Sequence, residues 1–150
     1  MADKSVISTD RAPGPFQGAA YNQAIRVGDL VFVAGQLGIE LDTGALAGEG
    51  VAEQTEQIMV NLGAILEAAG SSLDRLVKTT VFLMDLRDFA AMNDVYETFF
   101  EAPFPARTTI QAGALPGGIA VEIECIAKKG RKKAQKKARK KSQKKARKAR

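Results

Sequence analysis

The chain contains no histidine. That removes an imidazole general base, a Ser-His-Asp triad and imidazole metal ligands. Its single cysteine, Cys125, rules out a disulfide within the chain and leaves too little sulfur for a thiolate metal cluster. No apolar run is long enough to span a bilayer, and the first residues lack the hydrophobic stretch of a secretion signal. A soluble cytoplasmic protein is therefore expected. No phosphate-binding glycine loop or dinucleotide fingerprint occurs. One region also lacks acid: residues 128–150 hold 15 of the 22 Lys and Arg and none of the 17 Asp and Glu.

That last absence splits the chain electrically. The first 127 residues carry 7 basic against 17 acidic side chains, a formal charge of −10, and the tail's +15 brings the whole to +5. The pI near 9.4 is thus a property of the tail. The acidic body would on average repel a phosphate backbone. The tail contains "KKAQKKAR" followed by "KKSQKKAR", an eight-residue repeat of low complexity. Lys, Arg, Ala and Gln are good helix formers, but like charges three and four apart repel and alanine alone makes no core. A disordered tail that becomes helical on a polyanion is expected. Nonspecific contact with nucleic acid or another polyanion through residues 128–150 is favoured. The acidic body itself, acidic proteins or an anionic membrane surface stand as alternatives.

Along the body, hydrophobic period and turn residues mark the elements. The first twenty residues, with "APGPF" at 12–16, read as an irregular arm. In "AIRVGDLVFVAGQLG" two apolar runs flank Gly28-Asp29, which predicts a hairpin. Asp42-Thr43-Gly44 marks a second turn. Residues 51–69 change to helical spacing through Ile58, Leu62, Ile65, Leu66 and Ala69, with Gly70 where a C-terminal cap belongs. "LVKTTVFLMD" reads as a strand. "RDFAAMNDVYETFF" reads as a second helix with Phe89, Met92, Tyr96 and Phe99 on one side, Asp88 placed to cap it, and Pro103 and Pro105 beyond its end. Strands are predicted over 107–113 and 119–127. The order predicts an α+β domain, a mixed sheet with two helices packed on one face. In the last strand Val121, Ile123 and Cys125 face one way, Glu122 and Glu124 the other. The uncovered face is partly apolar, a composition that often signals an oligomer.

Without histidine, few residues can carry chemistry. Arg107, in "PFPARTTI", enters a strand after two closely spaced prolines. It is either a fork for a small carboxylate or a surface salt bridge, and spacing alone does not choose. Glu122 or Glu124 of "VEIE" is a candidate acid/base or water holder, against the plain reading of a solvated strand face. A short connection joins their strands, so Arg107 and Glu122 could meet across a hairpin. Tyr21 could offer a phenol to a pocket or cover an edge. Gly35, read at the end of a strand, could offer a bare backbone N–H or occupy a bulge. Cys125 reads as a core thiol.

Taken together, "YNQAIRVGDLVFVAGQLG", "GVAEQTEQIMVNLGAILEAAG", "VKTTVFLMDLRDFAAMNDVYETFF", "FPARTTIQAGALP" and "VEIECIA" resemble the RidA (YjgF) family of reactive-intermediate deaminases. The segments cover nearly all of residues 12–127 in the family's order. The resemblance implies a chorismate-mutase-like α+β domain over residues 1–127, followed by the tail at 128–150. It also implies a homotrimer whose sheets form a central barrel, with clefts between subunits. The implied activity is hydrolysis of 2-imino or 2-enamino acids, such as 2-iminopropanoate and 2-iminobutanoate, to 2-keto acids and ammonia, without metal or cofactor. By position, Arg107 matches the clamp on the substrate carboxylate and Glu122 the holder of the hydrolytic water. Tyr21 matches the pocket tyrosine, and Gly35 and Thr109 match backbone contacts to substrate. Ala34 stands where the family often has serine, which removes a hydroxyl from the pocket wall. Two other functions compete with the enzyme: an RNA-binding or endoribonuclease-like protein using the tail, and a non-catalytic keto-acid-binding trimer.

Overall fold

The computed structural model describes residues 3–130. Six strands form one sheet: β1 (Lys4–Ile7), β2 (Ala24–Val27), β3 (Leu30–Leu37), β4 (Leu76–Leu83), β5 (Ala106–Gln111) and β6 (Val121–Lys128). Their order is β1-β2-β3-β6-β4-β5. β4 and β5 run parallel, and the other neighbours are antiparallel. Two helices, α1 (Val51–Ala68) and α2 (Phe89–Glu97), join the sheet in one core. This is the expected α+β arrangement. The basic repeat and its expected disorder lie outside the described residues.

Local chemistry explains the element boundaries. β2 and β3 are joined by Gly28-Asp29 alone, and Gly28 has φ +56°. A positive φ at the first of two loop residues is what a type II′ hairpin needs. α1 ends on Gly70, φ +74°. There the Gly70 amide donates to Glu67 O at 3.0 Å and the Ser71 amide to Leu66 O at 2.8 Å, the paired bonds of a Schellman cap. At α2 the expected cap is displaced. Asp88 makes no side-chain capping bond. Asp85 instead accepts from the Arg87 amide at 2.9 Å, at the start of a 3-10 turn (Leu86–Asp88) that leads into the helix.

The arm is more ordered than its composition suggests. Residues 4–7 form β1 against β2, and Ile7 packs on the core. The buried Gln23 amide binds the next stretch. It donates to Thr9 O, Ala12 O and Pro13 O at 3.1, 3.2 and 3.0 Å, and its oxygen accepts from the Thr9 amide at 2.7 Å. Proline-rich chain that lacks its own ladder is held by one side chain with spare donors.

The core lies between one sheet face and the helices. Val31 and Val33 of β3, Val81 and Leu83 of β4, and Val121, Ile123, Cys125 and Ala127 of β6 are buried against Ile58, Leu62, Ile65 and Leu66 of α1 and Met92 and Tyr96 of α2. Burial pushes the Cys125 thiol well above its ordinary value, with the nearby Glu124 charge adding to it. It is the inert core thiol expected. The opposite face is open. Leu30, Phe32 and Ile110 are exposed there, beside Glu122 and Glu124. Among the described residues no helix is long and apolar enough to cross a membrane.

Polar side chains on α1 tie the loops to this core. Gln54 is fully buried. Its amide nitrogen donates to Gly48 O and Gly118 O, both at 2.9 Å, and its oxygen accepts from the Ala120 amide at 2.8 Å. Seven residues on, Asn61 donates to Leu37 O and Ile39 O at 3.2 and 3.0 Å. Gly38 runs so close that a Cβ there would lie 2.6 Å from Gln54 Cα. Replacing Gln54 by leucine would keep the bulk but strand three backbone groups. Gln54→Leu is expected to cost about 2–4 kcal/mol, read as a lowered urea midpoint at fixed protein concentration.

Candidate active site

Three of the residues singled out from sequence converge. Gly35 lies inside β3, not at its end, where the β3–β6 register shifts between Val33 and Gln36. The irregularity turns its bare Cα toward the neighbouring strand. A Cβ at residue 35 would collide with Glu122 Oε1, so glycine is what lets the carboxylate lie over the backbone. Tyr21 and Gly35 line the same open cleft with residues 13–16, Gln23, Gln36, Leu37 and Ile39. The Tyr21 Oη accepts from the Phe16 amide at 3.1 Å, which fixes the phenol against the arm.

Glu122 is half-buried and has no cation or hydrogen-bond donor among the described residues. Burial raises its pKa above the ordinary carboxylate value, and the like charge of Glu124 raises it further. A carboxylate in this state holds its proton more readily than one in water, and when ionised it is a stronger acceptor.

Arg107 and Thr109 lie elsewhere. Both are on β5, the strand at the sheet's far edge, where Arg107 pairs with Thr79 and Thr109 with Val81 of β4. Arg107 points to the helix side. Its guanidinium carbon lies 4.8 Å from the Tyr96 ring centroid and 5.4 Å from that of Phe89. The Tyr96 Oη shares a 2.7 Å hydrogen bond with Thr79 Oγ1. Burial raises the Tyr96 pKa, opposed by the Thr79 bond and the Arg107 charge. Tyr96 is therefore a neutral phenol that presents a π face to the cation. No carboxylate among the described residues pairs with Arg107. Among the described residues the salt-bridge reading thus fails, and the guanidinium is seated on the aromatic rings of Tyr96 and Phe89 without a carboxylate partner.

The expected meeting of Arg107 and Glu122 across a hairpin does not occur. β4 lies between β5 and β6, and the connection from 112 to 120 passes over its end. The Ala112 amide donates to Leu83 O, and the Met84 amide to Ala120 O. Strand alternation then sets the two side chains on opposite faces: Arg107 aligns with Thr79 and Cys125 on the helix side, while Glu122 aligns with Phe82 on the open side. The sequence sets Phe89 and Tyr96, the seat of Arg107, only on one side of a helix. Their spacing of seven, just before the strand that carries Arg107, is the signal that could have found them.

A family profile described as Endoribonuclease L-PSP matches residues 11–129. The chain is 47% identical over 124 residues to Reactive Intermediate Deaminase A, chloroplastic, of Arabidopsis thaliana, a match that covers 83% of this chain and 65% of that protein. It is 45% identical over 127 residues to the 2-iminobutanoate/2-iminopropanoate deaminase of Rattus norvegicus, covering 85% of this chain and 91% of the relative. Among solved structures, RidA from the Antarctic bacterium Psychrobacter sp. PAMC 21119 superposes with a TM-score of 0.77 at 45% identity, covering 83% of this chain and 98% of that one. The chain belongs to the Endoribonuclease L-PSP family, the family of RidA and YjgF.

Proposed function

We propose that this protein is a 2-iminobutanoate/2-iminopropanoate deaminase, hydrolysing reactive 2-imino and 2-enamino acids to 2-keto acids and ammonia. The observation that carries this reading is a pair of uncommitted charges. Arg107 is seated on Phe89 and Tyr96 with no carboxylate partner, and Glu122 lies over Gly35 with no cation partner. The iminium carbon is already electrophilic, so the site has only to orient it, deliver water and handle protons. Arg107 grips the substrate carboxylate through its fork. Ionised Glu122 orients a water toward the iminium carbon and takes a proton as the carbon–oxygen bond forms. That proton passes to the nitrogen, the carbon–nitrogen bond breaks, and the iminium acid plus water become keto acid plus ammonium. Tyr21, the Gly35 amide and the Thr109 backbone contact the substrate. The cytoplasm, where such imines arise from pyridoxal-phosphate enzymes, is the proposed setting.

Two groups on opposite faces of one sheet can serve one substrate only if a second copy supplies one of them. The proposed assembly is therefore a homotrimer in which the open face, with Leu30, Phe32 and Ile110 exposed, is covered by neighbouring copies. Each cleft combines Tyr21, Gly35 and Glu122 of one copy with Arg107 and Thr109 of the next. Arg107→Ala and Glu122→Gln are each expected to be inactive as pure proteins. Refolded together in equal amounts they should regain about a quarter of wild-type activity, because a quarter of random interfaces hold both intact residues. A mixture as inactive as its parents would place both residues of a site in one chain.

The pH behaviour follows from Glu122. Its pKa is raised in the folded protein, so the ionised form costs stability, and that cost grows as pH rises from the unfolded-state value through the folded one. Activity needs the ionised form. The rate should therefore fall as pH drops through a midpoint above the ordinary carboxylate range. Glu122→Gln should lower kcat by about a hundredfold or more. It should also melt higher than wild type at neutral pH and lose that advantage in acid. Equal melting temperatures at both pH values would refute the assigned shift.

The charge split favours a second, separable property: nonspecific nucleic-acid contact through residues 128–150. The +15 tail against a −10 body supports binding, not cleavage. The chain shortened to residues 1–130 should keep its deaminase activity. The full chain's affinity for duplex DNA should fall about a thousandfold between about 50 and 200 mM salt, and should vanish on shortening. Unchanged affinity after shortening would assign the contact to the body.

A further inference from the structure

A buried polar pair stands behind Arg107. Thr79 and Tyr96 share a 2.7 Å hydrogen bond between their hydroxyls, and both side chains are buried, that of Thr79 fully. Thr79 is one of three buried residues on the helix side of β4, and the other two, Val81 and Leu83, are apolar. A valine would match the threonine in shape and suit a core strand. Replacing both partners of a buried hydrogen bond by apolar groups of like shape is nearly neutral for stability. The core therefore does not require this pair. What a hydrogen bond adds to packing is direction.

The bond is placed to aim a ring. The Tyr96 ring centroid lies 4.8 Å from the Arg107 guanidinium carbon, and the same ring packs on Phe100 with centroids 4.8 Å apart and planes tilted by 48°. Phe89, on the same side of α2, offers a second face at 5.4 Å but is 40% exposed. Tyr96 is thus the more firmly held of the two. Thr79 aligns with Arg107 on β5 and with Cys125 on β6. The hydroxyl bond ties the aromatic floor of the guanidinium to β4, the strand that borders both the strand of Arg107 and the strand of Glu122. That tie matters because Arg107 and Glu122 of one chain lie on opposite faces. In a cleft built from two copies, each must be indexed to its own sheet.

We propose that Tyr96, pinned by Thr79, is a positioning residue for Arg107. The pair fixes where the guanidinium fork lies, and so where the substrate carboxylate and the carbon bonded to it come to rest against the water held by Glu122. The inference rests on the deaminase reading and adds to it two residues that hold no substrate themselves. A carboxylate gripped by a displaced fork is still gripped, so binding survives while the line of attack is lost. Misplacement by about 1 Å can slow a reaction on the order of a hundredfold. Loss of the hydroxyl bond beneath an intact ring is a smaller displacement. It should lower kcat by about tenfold and leave KM within about twofold.

The test compares the full-length wild type, Thr79→Ser, Tyr96→Phe and the double variant Thr79→Val/Tyr96→Phe. The substrate is 2-iminopropanoate generated in situ by an L-amino-acid oxidase, with semicarbazone trapping as the rate readout and the melting temperature recorded for each chain. The double variant strands no hydroxyl and should melt near wild type, yet show the tenfold fall in kcat. Thr79→Ser gives up a buried methyl and should melt lower, yet it keeps the hydroxyl and should hold kcat within about twofold. Stability and rate then move in opposite senses, which a merely structural role does not produce. Should the double variant fail to fold, Tyr96→Phe against Thr79→Ser, at a temperature where both are folded, decides the same point. A folded double variant with wild-type kcat, or a Thr79→Ser chain as slow as the variants without the bond, overturns the inference and leaves the deaminase reading standing. A wild-type chain without turnover overturns both.

Discussion

The carboxamide of Gln54 is the contact on which the site's geometry depends. One buried side chain satisfies three backbone groups from two loops distant in sequence, at Gly48 and at Gly118 and Ala120. Those loops flank the two strand segments that matter most. Ala120 lies two residues before Glu122, and Gly38, packed on Gln54 Cα, lies three residues after Gly35. The collision-free seat of the Glu122 carboxylate over Gly35 needs both segments placed to within a fraction of an ångström. A hydrophobic residue at 54 could fill the space but could not set that register. Apolar packing is non-directional, while hydrogen bonds to named carbonyls are not.

The functional arrangement is an economy of unpaired charge. Opposite charges brought together inside one chain would neutralise each other and leave nothing for a ligand. Here the sheet keeps them apart: β4 stands between the strands of Arg107 and Glu122, and alternation sends them to opposite faces. The arginine rests on the faces of Tyr96 and Phe89, which stabilise a cation and leave it without a carboxylate partner among the described residues. The carboxylate rests on bare backbone, and its raised pKa reflects the cost of waiting there. The raised pKa of Glu122 marks a cost to stability, a condition common among perturbed groups in clefts.

Local features of this fold were readable from sequence, and non-local ones were not. The Gly28-Asp29 hairpin and the Gly70 cap follow from backbone chemistry within a few residues. α1 follows from its apolar period, and Cys125 from strand alternation. β1 escaped notice because a strand of four residues carries little pattern, and its stability comes from the edge that β2 offers. The meeting of Arg107 and Glu122 was misjudged because a nine-residue connection is as able to step over a strand as to turn back beside one, and nothing in its composition says which. Arg107, Glu122, Tyr21 and Gly35 stand out as candidates by residue type and position, and the resemblance adds Thr109 and the separate roles. Spacing alone gave no reason to prefer Gly35 to other glycines, and only its approach to Glu122 supplies the physical reason.

The end of β6 carries one more consequence. Lys129 donates its amide to Asp29 O and Gly130 to Gly70 O, both at 2.7 Å, while Ser71 Oγ and the Arg75 guanidinium hold the carbonyls of Lys128 and Lys129 at 2.7 Å each. The chain is fastened there, six residues beyond Glu122 and so about 20 Å along the strand. The fastening works as a mooring post. Pull, bulk or charge applied beyond Gly130 is borne by the hairpin turn and the end of α1, and does not run back along β6 to the carboxylate. A change to the sequence beyond Gly130 therefore need not disturb the seat of the Glu122 carboxylate over Gly35.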